Sequence, residues 1–415
     1  MSSLQPVRGT HDLMFDDIRR HRFVESLAFG LAQRYGYAEI ATPIFEFTEV
    51  FSRTLGETSD IVTKEMYTFQ SAGGESLTLR PEGTAGVARA FISNGLAQQT
   101  PLKFFYRGPM FRHERPQKGR QRQFHQIGVE LIGVATPQAD IEVIALADHI
   151  LKDLALAGAV ALEINSLGDA ESRAAYRAVL VKFFEGRIDK LSAESRERLS
   201  RNPLRVLDSK DPADKAVVAD APRYTDHLNQ SSRDFFQAVQ DGLSALGIAF
   251  VVNPALVRGL DYYSHTAFEF TTQALGAQGT VLAGGRYDGL IADMGGPQTP
   301  GIGWAAGVER LAMLLSATPA EPRPFAVVPV GETETAAAIR LCHELRRQGF
   351  RVDMGYGGNM GKRMKRANKV NAVAAIILGE DELRAKSVTV RMLDTGAQST
   401  VALVDLAAHL SAISA

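Results

Sequence analysis

The sequence predicts an α+β protein in two unequal parts, and three observations carry that prediction. The stretch "SATPAEPRP" at 316–324 holds three prolines in nine residues and marks a boundary. Past it, β-type and helical segments alternate ("FAVVPV", "TAAAIRLCHELRRQG", "FRVDMG", "NMGKRMKRANKVN", "AVAAIILG"), the pattern of a small α/β domain. Before it, residues 168–225 turn polar and charged with little β signal, which reads as a helical insertion. The expected divisions are a core of 1–167 and 226–318, an insertion of 168–225 within it, and a separate domain of 323–415.

The elements follow in order. Residues 16–35 place Ile18, Phe23, Leu27, Leu31 and Tyr35 near helical spacing, with Gly36 as the stop. "YAEIATPIFEFTEVF" alternates like a strand but contains Pro43, which suits an edge or an interface. Residues 102–112 and 123–132 read as two strands flanking a basic loop, and so as one long hairpin. A helical segment at 137–157 leads to the strand "AVALEINS". β-type segments return in "AFVVNPALVRGLDYYSHTAFEFTT" and "GTVLAGGRYDGLI", and "GIGWAAGVERLAMLL" runs from strand into helix.

At 415 residues and 45% hydrophobic, the chain can bury a large core. "MSSLQPVRGTHDLM" has no apolar run of the secretory kind, and "AVAAIIL" is far below the roughly 18 residues of a membrane span. No signal segment and no membrane partner are expected. A single cysteine, Cys342, excludes an intramolecular disulfide and fits a reducing compartment, with the cytoplasm as the default; its helical surroundings predict a packed thiol. No cluster of Cys and His stands at zinc spacing, so no protein-chelated structural metal is expected.

A net charge of −1 makes one stretch conspicuous. "FRHERPQKGRQRQFHQ" gathers Arg112, Arg115, Lys118, Arg120 and Arg122 against Glu114 alone. Something anionic is expected there. In the last domain 13 Lys and Arg face 9 Asp and Glu, a surplus of four, and Lys362, Lys365, Arg366 and Lys369 share one helix face. That face reads either as solvated or as a surface for a nucleic acid backbone.

Next to the loop, alternate residues Gln126, Gly128 and Glu130 share one strand face: two polar groups around a glycine that leaves open space, as in a pocket floor. For one strand alone, the solvated face of an outer strand is the safer reading. The combination recurs, however. "TLRPEGTAG" holds Glu82 and Thr84 in a Pro/Gly turn; "LVRGLDYYSHTAFEF" sets Arg258 beside Gly259 and before Tyr262 and Tyr263; "LAGGRYDGLI" has Gly284 and Gly285 before Arg286 and Tyr287; "GVERL" puts Arg310 on the first turn of a helix. Separated arginines, glycine turns and a few fixed carboxylates describe a site for one phosphate-bearing and one amine-bearing substrate. Guanidinium forks suit phosphate oxygens and stay charged at any working pH. No "GxxxxGK[ST]" and no kinase-type glycine loop is present, so the nucleotide is not held in the common ways.

These residues resemble those of the histidyl-tRNA synthetases of bacterial type, class II aminoacyl-tRNA synthetases, over essentially the full chain. "FRHERPQKGRQRQFHQIGVE" resembles the second class II motif, "GIGWAAGVERL" the third and "GYAEIATPIFEF" the first. "LVRGLDYYSHTAFEF" and "GGRYDGL" are similar to the two stretches peculiar to the histidine enzymes. The resemblance implies an antiparallel sheet core, a homodimer through the first motif, a helical insertion and a C-terminal anticodon-binding domain. It implies ATP with Mg2+, L-histidine and tRNA(His) as partners. By similarity Arg112 would contact the α-phosphate of ATP and Arg310 the γ-phosphate, Arg258 would stabilise the α-phosphate during attack, and Glu114 would belong to the ATP site. Glu82, Thr84 and Gln126 would hold the histidine amino group, Glu130 and Tyr263 would read the imidazole, and Tyr262, Gly284 and Tyr287 would complete that pocket. Arg115, Gln117, Lys118, Arg120, Gln121 and Arg122 would extend beyond it toward the tRNA acceptor stem. Relatives usually carry an aromatic residue where Gln121 stands, which raises the expectation of altered recognition of the extra 5′ nucleotide or the discriminator base. The rival is the regulatory paralogue of ATP phosphoribosyltransferase, a non-charging histidine sensor; such paralogues typically lack the anticodon domain and degrade the "LVRGLDYY" stretch, and both are intact here.

Overall fold

The computed structural model describes residues 4–55, 61–201, 203–207, 209, 211–256, 262–276 and 279–414. The chain divides into two compact units, 1–319 and 320–415.

In the first unit α1 (Asp16–Arg34) leads to β1 (Ala38–Glu39), β2 (Phe45–Phe47), α2 (Thr48–Leu55), β3 (Tyr67–Gln70), β4 (Ser76–Leu79) and α3 (Thr84–Ser93). The hairpin β5 (Leu102–Phe111) and β6 (Gln123–Ile132) precedes α4 (Pro137–Asp153) and β7 (Ala161–Ser166). Then come α5 (Ala170–Glu185), α6 (Ala193–Arg201) and α7 (Pro212–Val218), with no strand among the described residues between 168 and 225. The unit closes with α8 (Gln230–Ala245), β8 (Val251–Val252), β9 (Ser264–Thr271), β10 (Thr280–Arg286), α9 (Leu290–Asp293), β11 (Gly301–Gly307) and α10 (Val308–Leu314).

Eight strands form one sheet in the order β1-β5-β6-β11-β10-β9-β7-β8, antiparallel except at its two edges. Alternation along β6 decides what each face does. Ile127, Val129 and Leu131 join Trp304, Phe268 and Leu282 in a core closed by α1, α4, α8 and α10. Gln126, Gly128 and Glu130 face the other way, and of these Gln126 lines the cavity described below. Burying one face under helices leaves the opposite face free to carry polar groups.

Two expectations are corrected. The segment read as one strand around Pro43 forms only β1 and β2, and Thr48 starts a helix whose Val50, Phe51 and Thr54 are buried. Helix periodicity takes over where Glu49 joins the first turn. On α1 the buried stripe is Val24, Ala28, Leu31 and Ala32, while Phe23 is exposed. Small alanines let α1 approach α4 and α10 closely, which rotates the helix away from its largest side chain.

The second unit holds β12 (Phe325–Pro329), α11 (Thr335–Arg347), β13 (Val352–Met354), α12 (Met360–Lys369), β14 (Ala374–Leu378), α13 (Glu380–Arg384), β15 (Ser387–Met392), β16 (Gln398–Ala402) and α14 (Leu406–Ser414). Its sheet order is β13-β12-β14-β15-β16, parallel in the first three strands and antiparallel beyond. Cys342 is buried in its core. Lys362, Lys365, Arg366 and Lys369 are all exposed on α12, Arg366 pairing with Asp353 at 2.8 Å, while Arg363 turns inward to the Pro329 carbonyl.

Candidate active site

The sheet face opposite the helices forms the floor of a cavity of about 270 Å3. At one end α3 begins at Thr84, and Glu82 caps it: its carboxylate accepts from the backbone N–H of Thr84 at 2.6 Å and of Ala85 at 2.8 Å. The "RPEGT" turn therefore holds Glu82 through backbone, as the Pro/Gly pattern suggests. Burial raises the Glu82 carboxyl above its ordinary pKa, against the lowering pull of those bonds and of Arg112. Behind it Glu130 is fully buried and accepts from Thr84 Oγ1 at 2.7 Å and Tyr287 Oη at 2.5 Å. Tyr262 and Tyr263 line the same end with ring centroids 4.6 Å apart, and Tyr262 stands edge-on to Tyr287 at 6.0 Å. Gln126 reaches the cavity with a buried Oε1 that has no hydrogen-bond partner. An unpaired buried acceptor is costly, and a ligand N–H would relieve it.

The other end is cationic. Arg112 lies over the Phe124 ring at 5.3 Å and donates to the Pro81 carbonyl. Arg310 donates through Nε to the Gly119 carbonyl at 3.0 Å and through Nη1 to the Thr280 carbonyl at 2.5 Å. Burial, and next Arg120, weaken the hold of Arg310 on its proton, because cations are gathered there in a poorly solvated space. An anion would be stabilised at this end. Glu114 sits among them, buried and paired with Arg120.

Several sequence expectations change here. Gly128 does not leave open space: a Cβ there would lie 2.3 Å from the Tyr106 ring, and one on Gly83 would meet the same ring. Tyr106 is the cross-strand partner of Gly128 in the hairpin register, so an aromatic opposite a glycine was the available signal. Gly284 does not line the cavity; its missing Cβ faces Trp304 and Phe268 on the helix side, so close packing accounts for the glycine. Arg286, on that same face, is fully buried and ion-paired with Asp140 of α4. In the loop, Arg115, Gln117 and Lys118 are exposed, but Arg120 and Gln121 turn into the cavity wall, and Arg122 donates to the Glu114 carbonyl at 3.3 Å. The fixed acid Glu114 and the Gln117–Arg120 bridge draw the chain back. Arg258 lies outside the described residues. Glu269, Thr280 and Phe124, which the sequence did not single out, also line the cavity.

An antiparallel sheet with arginines at one end of its polar face and a caged carboxylate at the other is the core of a class II aminoacyl-tRNA synthetase. The family model for histidyl-tRNA synthetase matches residues 9–311, and the model for the anticodon binding domain matches 325–413. The chain belongs to the histidyl-tRNA synthetase family. It is 64% identical over 412 residues to a histidine–tRNA ligase of Rhodospirillum rubrum, covering 99% of both chains. It is 57% identical over 413 residues to that of Gluconacetobacter diazotrophicus, covering all of both. The crystal structure of apo Staphylococcus aureus histidyl-tRNA synthetase superposes with a TM-score of 0.84 at 36% identity, over 98% of this chain and 99% of that one.

Proposed function

We propose that the chain activates L-histidine with ATP, giving histidyl-adenylate and pyrophosphate, and then transfers histidine to tRNA(His). The observation that carries this reading is one cavity with a cationic end at Arg112 and Arg310 and a carboxylate–tyrosine end at Glu82, Tyr263 and Tyr287, with Glu130 buried behind it and bonded to Tyr287.

The chemistry follows from what each end can hold. The histidine ammonium is matched by the Glu82 carboxylate, the Thr84 hydroxyl and the unpaired Gln126 carbonyl. A neutral imidazole presents one donor and one acceptor, which Glu130 and Tyr263 are suited to satisfy; an analogue leaving either unpaired loses about 1–3 kcal/mol. The histidine carboxylate oxygen attacks the α-phosphorus, the bond to the bridging oxygen breaks, and pyrophosphate leaves. Arg112, Arg258 and Arg310 offset the charge on the phosphates. Mg2+ carried on the nucleotide would supply further neutralisation, and Glu269, a cavity carboxylate that accepts from Thr280 Oγ1 at 2.8 Å, would suit such a hard cation. The terminal ribose hydroxyl of tRNA then attacks the acyl carbon, releasing AMP.

Arg115, Gln117 and Lys118 are assigned to the acceptor stem, with Arg120, Gln121 and Arg122 behind them; the exposure of the first three supports this assignment. A homodimer is proposed through the first motif. β2, β4 and β3 form a small sheet in which Phe45, Leu79 and Tyr67 lie side by side, as do Phe47, Leu77 and Phe69. Those two rows share one face, and Phe45, Phe47 and Phe69 are exposed. An aromatic face of this kind is uncovered in one chain and fits a second copy. No helix among the described residues is long and apolar enough to cross a membrane, and the single buried cysteine suits the cytoplasm.

Charging of a tRNA(His) transcript with labelled histidine tests the whole reading: label in acid-precipitable RNA supports it, and adenylate formation without charging rejects its second step.

A further inference from the structure

Beside the arginine end lies a second cavity of about 190 Å3, whose lining includes His11, Asp17, His21, Gln121 and Glu309. Two residues of its wall, His21 of α1 and Glu309 of α10, meet a third metal-ligating group, His125 of β6, with one donor atom from each within 4.8 Å of the others. His21 is 6% exposed, and its Nδ1 is buried with no hydrogen-bond partner. The bland reading, a satisfied core histidine, fails on that atom. The two imidazoles stand edge to face with centroids 5.6 Å apart.

Glu309 is already oriented. Its two oxygens accept from the His125 backbone N–H at 2.9 and 3.0 Å, and Oε1 also from His125 Nδ1 at 2.9 Å. The backbone bonds do not depend on the imidazole, so the carboxylate stays aimed if the ring gives a nitrogen to a cation. Arg20, the cation lining this cavity, is tied to Thr318 Oγ1 at 2.7 Å and to the Ala312 carbonyl.

We propose that His21, His125 and Glu309 form a binding site for a borderline divalent cation of the Zn2+ or Co2+ kind. Two imidazoles and one carboxylate are the donor set such ions take with a position left open, here toward the cavity, whereas Mg2+ demands an oxygen octahedron. His125 and Glu309 immediately precede Gln126 and Arg310. A bound cation therefore fastens the strand carrying Gln126 and the helix carrying Arg310 to α1, and its occupancy is felt at the reacting end of the active site.

The test is a Co2+ titration of the full chain, read by visible absorption and displaced with Zn2+. One Co2+ per chain, with the intense bands of low coordination and loss of those bands on adding Zn2+, is expected. His21→Ala weakens the affinity at least about tenfold, whereas His11→Ala leaves it unchanged. His21→Gln, which keeps the side-chain bulk, gives the same loss if the alanine variant does not fold, folding being judged by circular dichroism. Absence of binding at micromolar protein overturns the proposal, and so does a stoichiometry and spectrum that survive both His21 variants.

Discussion

Tyr287 and Glu130 meet at the closed end of the active-site cavity, where the tyrosine hydroxyl donates to a carboxylate that has no exposed surface. The second oxygen is held by another neutral hydroxyl, that of Thr84. Burial pushes the Glu130 carboxyl up to about 8, and the two hydroxyls pull it only part of the way back. The folded chain thus keeps a proton that an unfolded chain releases near pH ~4.3. Glu130 contributes full stability below that point and loses it as pH rises through about 8. Between those limits Glu130→Gln, which keeps the shape without the charge, should gain melting temperature relative to the parent chain as pH rises. A difference that does not change with pH contradicts the assignment.

Gln126 should act on amino acid binding. Its Oε1 is buried and unpaired without ligand. Gln126→Ala removes an acceptor for the histidine ammonium, at a cost of about 1–3 kcal/mol. The expected result is a raised KM for histidine in pyrophosphate exchange, with the KM for ATP close to that of the parent. Equal rises in both would place Gln126 elsewhere.

Arg286 belongs to stability. Its guanidinium and the Asp140 carboxylate are both fully buried, with Asp288 as a second partner at 3.0 Å. Removing one side strands a buried charge, and Arg286→Met should cost about 3–5 kcal/mol. Replacing Arg286 and Asp140 together by apolar residues should recover part of that loss in denaturant titrations.

That position shows what the sequence could and could not carry. The hairpin, the polar face of Gln126 and Glu130 and the Pro/Gly turn at Glu82 were legible, because period-two alternation and turn chemistry are local. "GGRYDG" was not resolved into its two faces: Tyr287 goes to the cavity, while Gly284 and Arg286 go to the helices, a choice set by the partners β9 and β11. The inward turn of Arg120 and Gln121 depends on Glu114 and on a bridge within the loop. The His21, His125 and Glu309 cluster joins three distant segments that no spacing rule connects.

Loop residues should separate by exposure. Arg115→Ala with Lys118→Ala should raise the KM for tRNA and leave pyrophosphate exchange unchanged, since both are exposed outside the cavity. Arg120→Ala should lower exchange itself, because Arg120 holds Glu114 within the cavity wall. Charging transcripts with and without the extra 5′ nucleotide tests Gln121: a weak dependence is expected, and a strong one sinks the idea.

The aromatic face of β2, β4 and β3 should set the oligomeric state. Phe47→Glu combined with Phe69→Glu places charges on the exposed face without disturbing the buried row of Glu46 and Thr78. Sedimentation should then report a monomer in place of a dimer; an unchanged dimer moves the interface elsewhere.

The most direct measurement is amino-acid-dependent ATP–pyrophosphate exchange by the purified chain, run with each of the twenty amino acids and repeated on Arg258→Ala and Arg310→Ala. Exchange with histidine alone, lost in both variants, is the predicted result. No exchange with any amino acid from a folded chain would contradict it, and would recast the cavity as a histidine sensor.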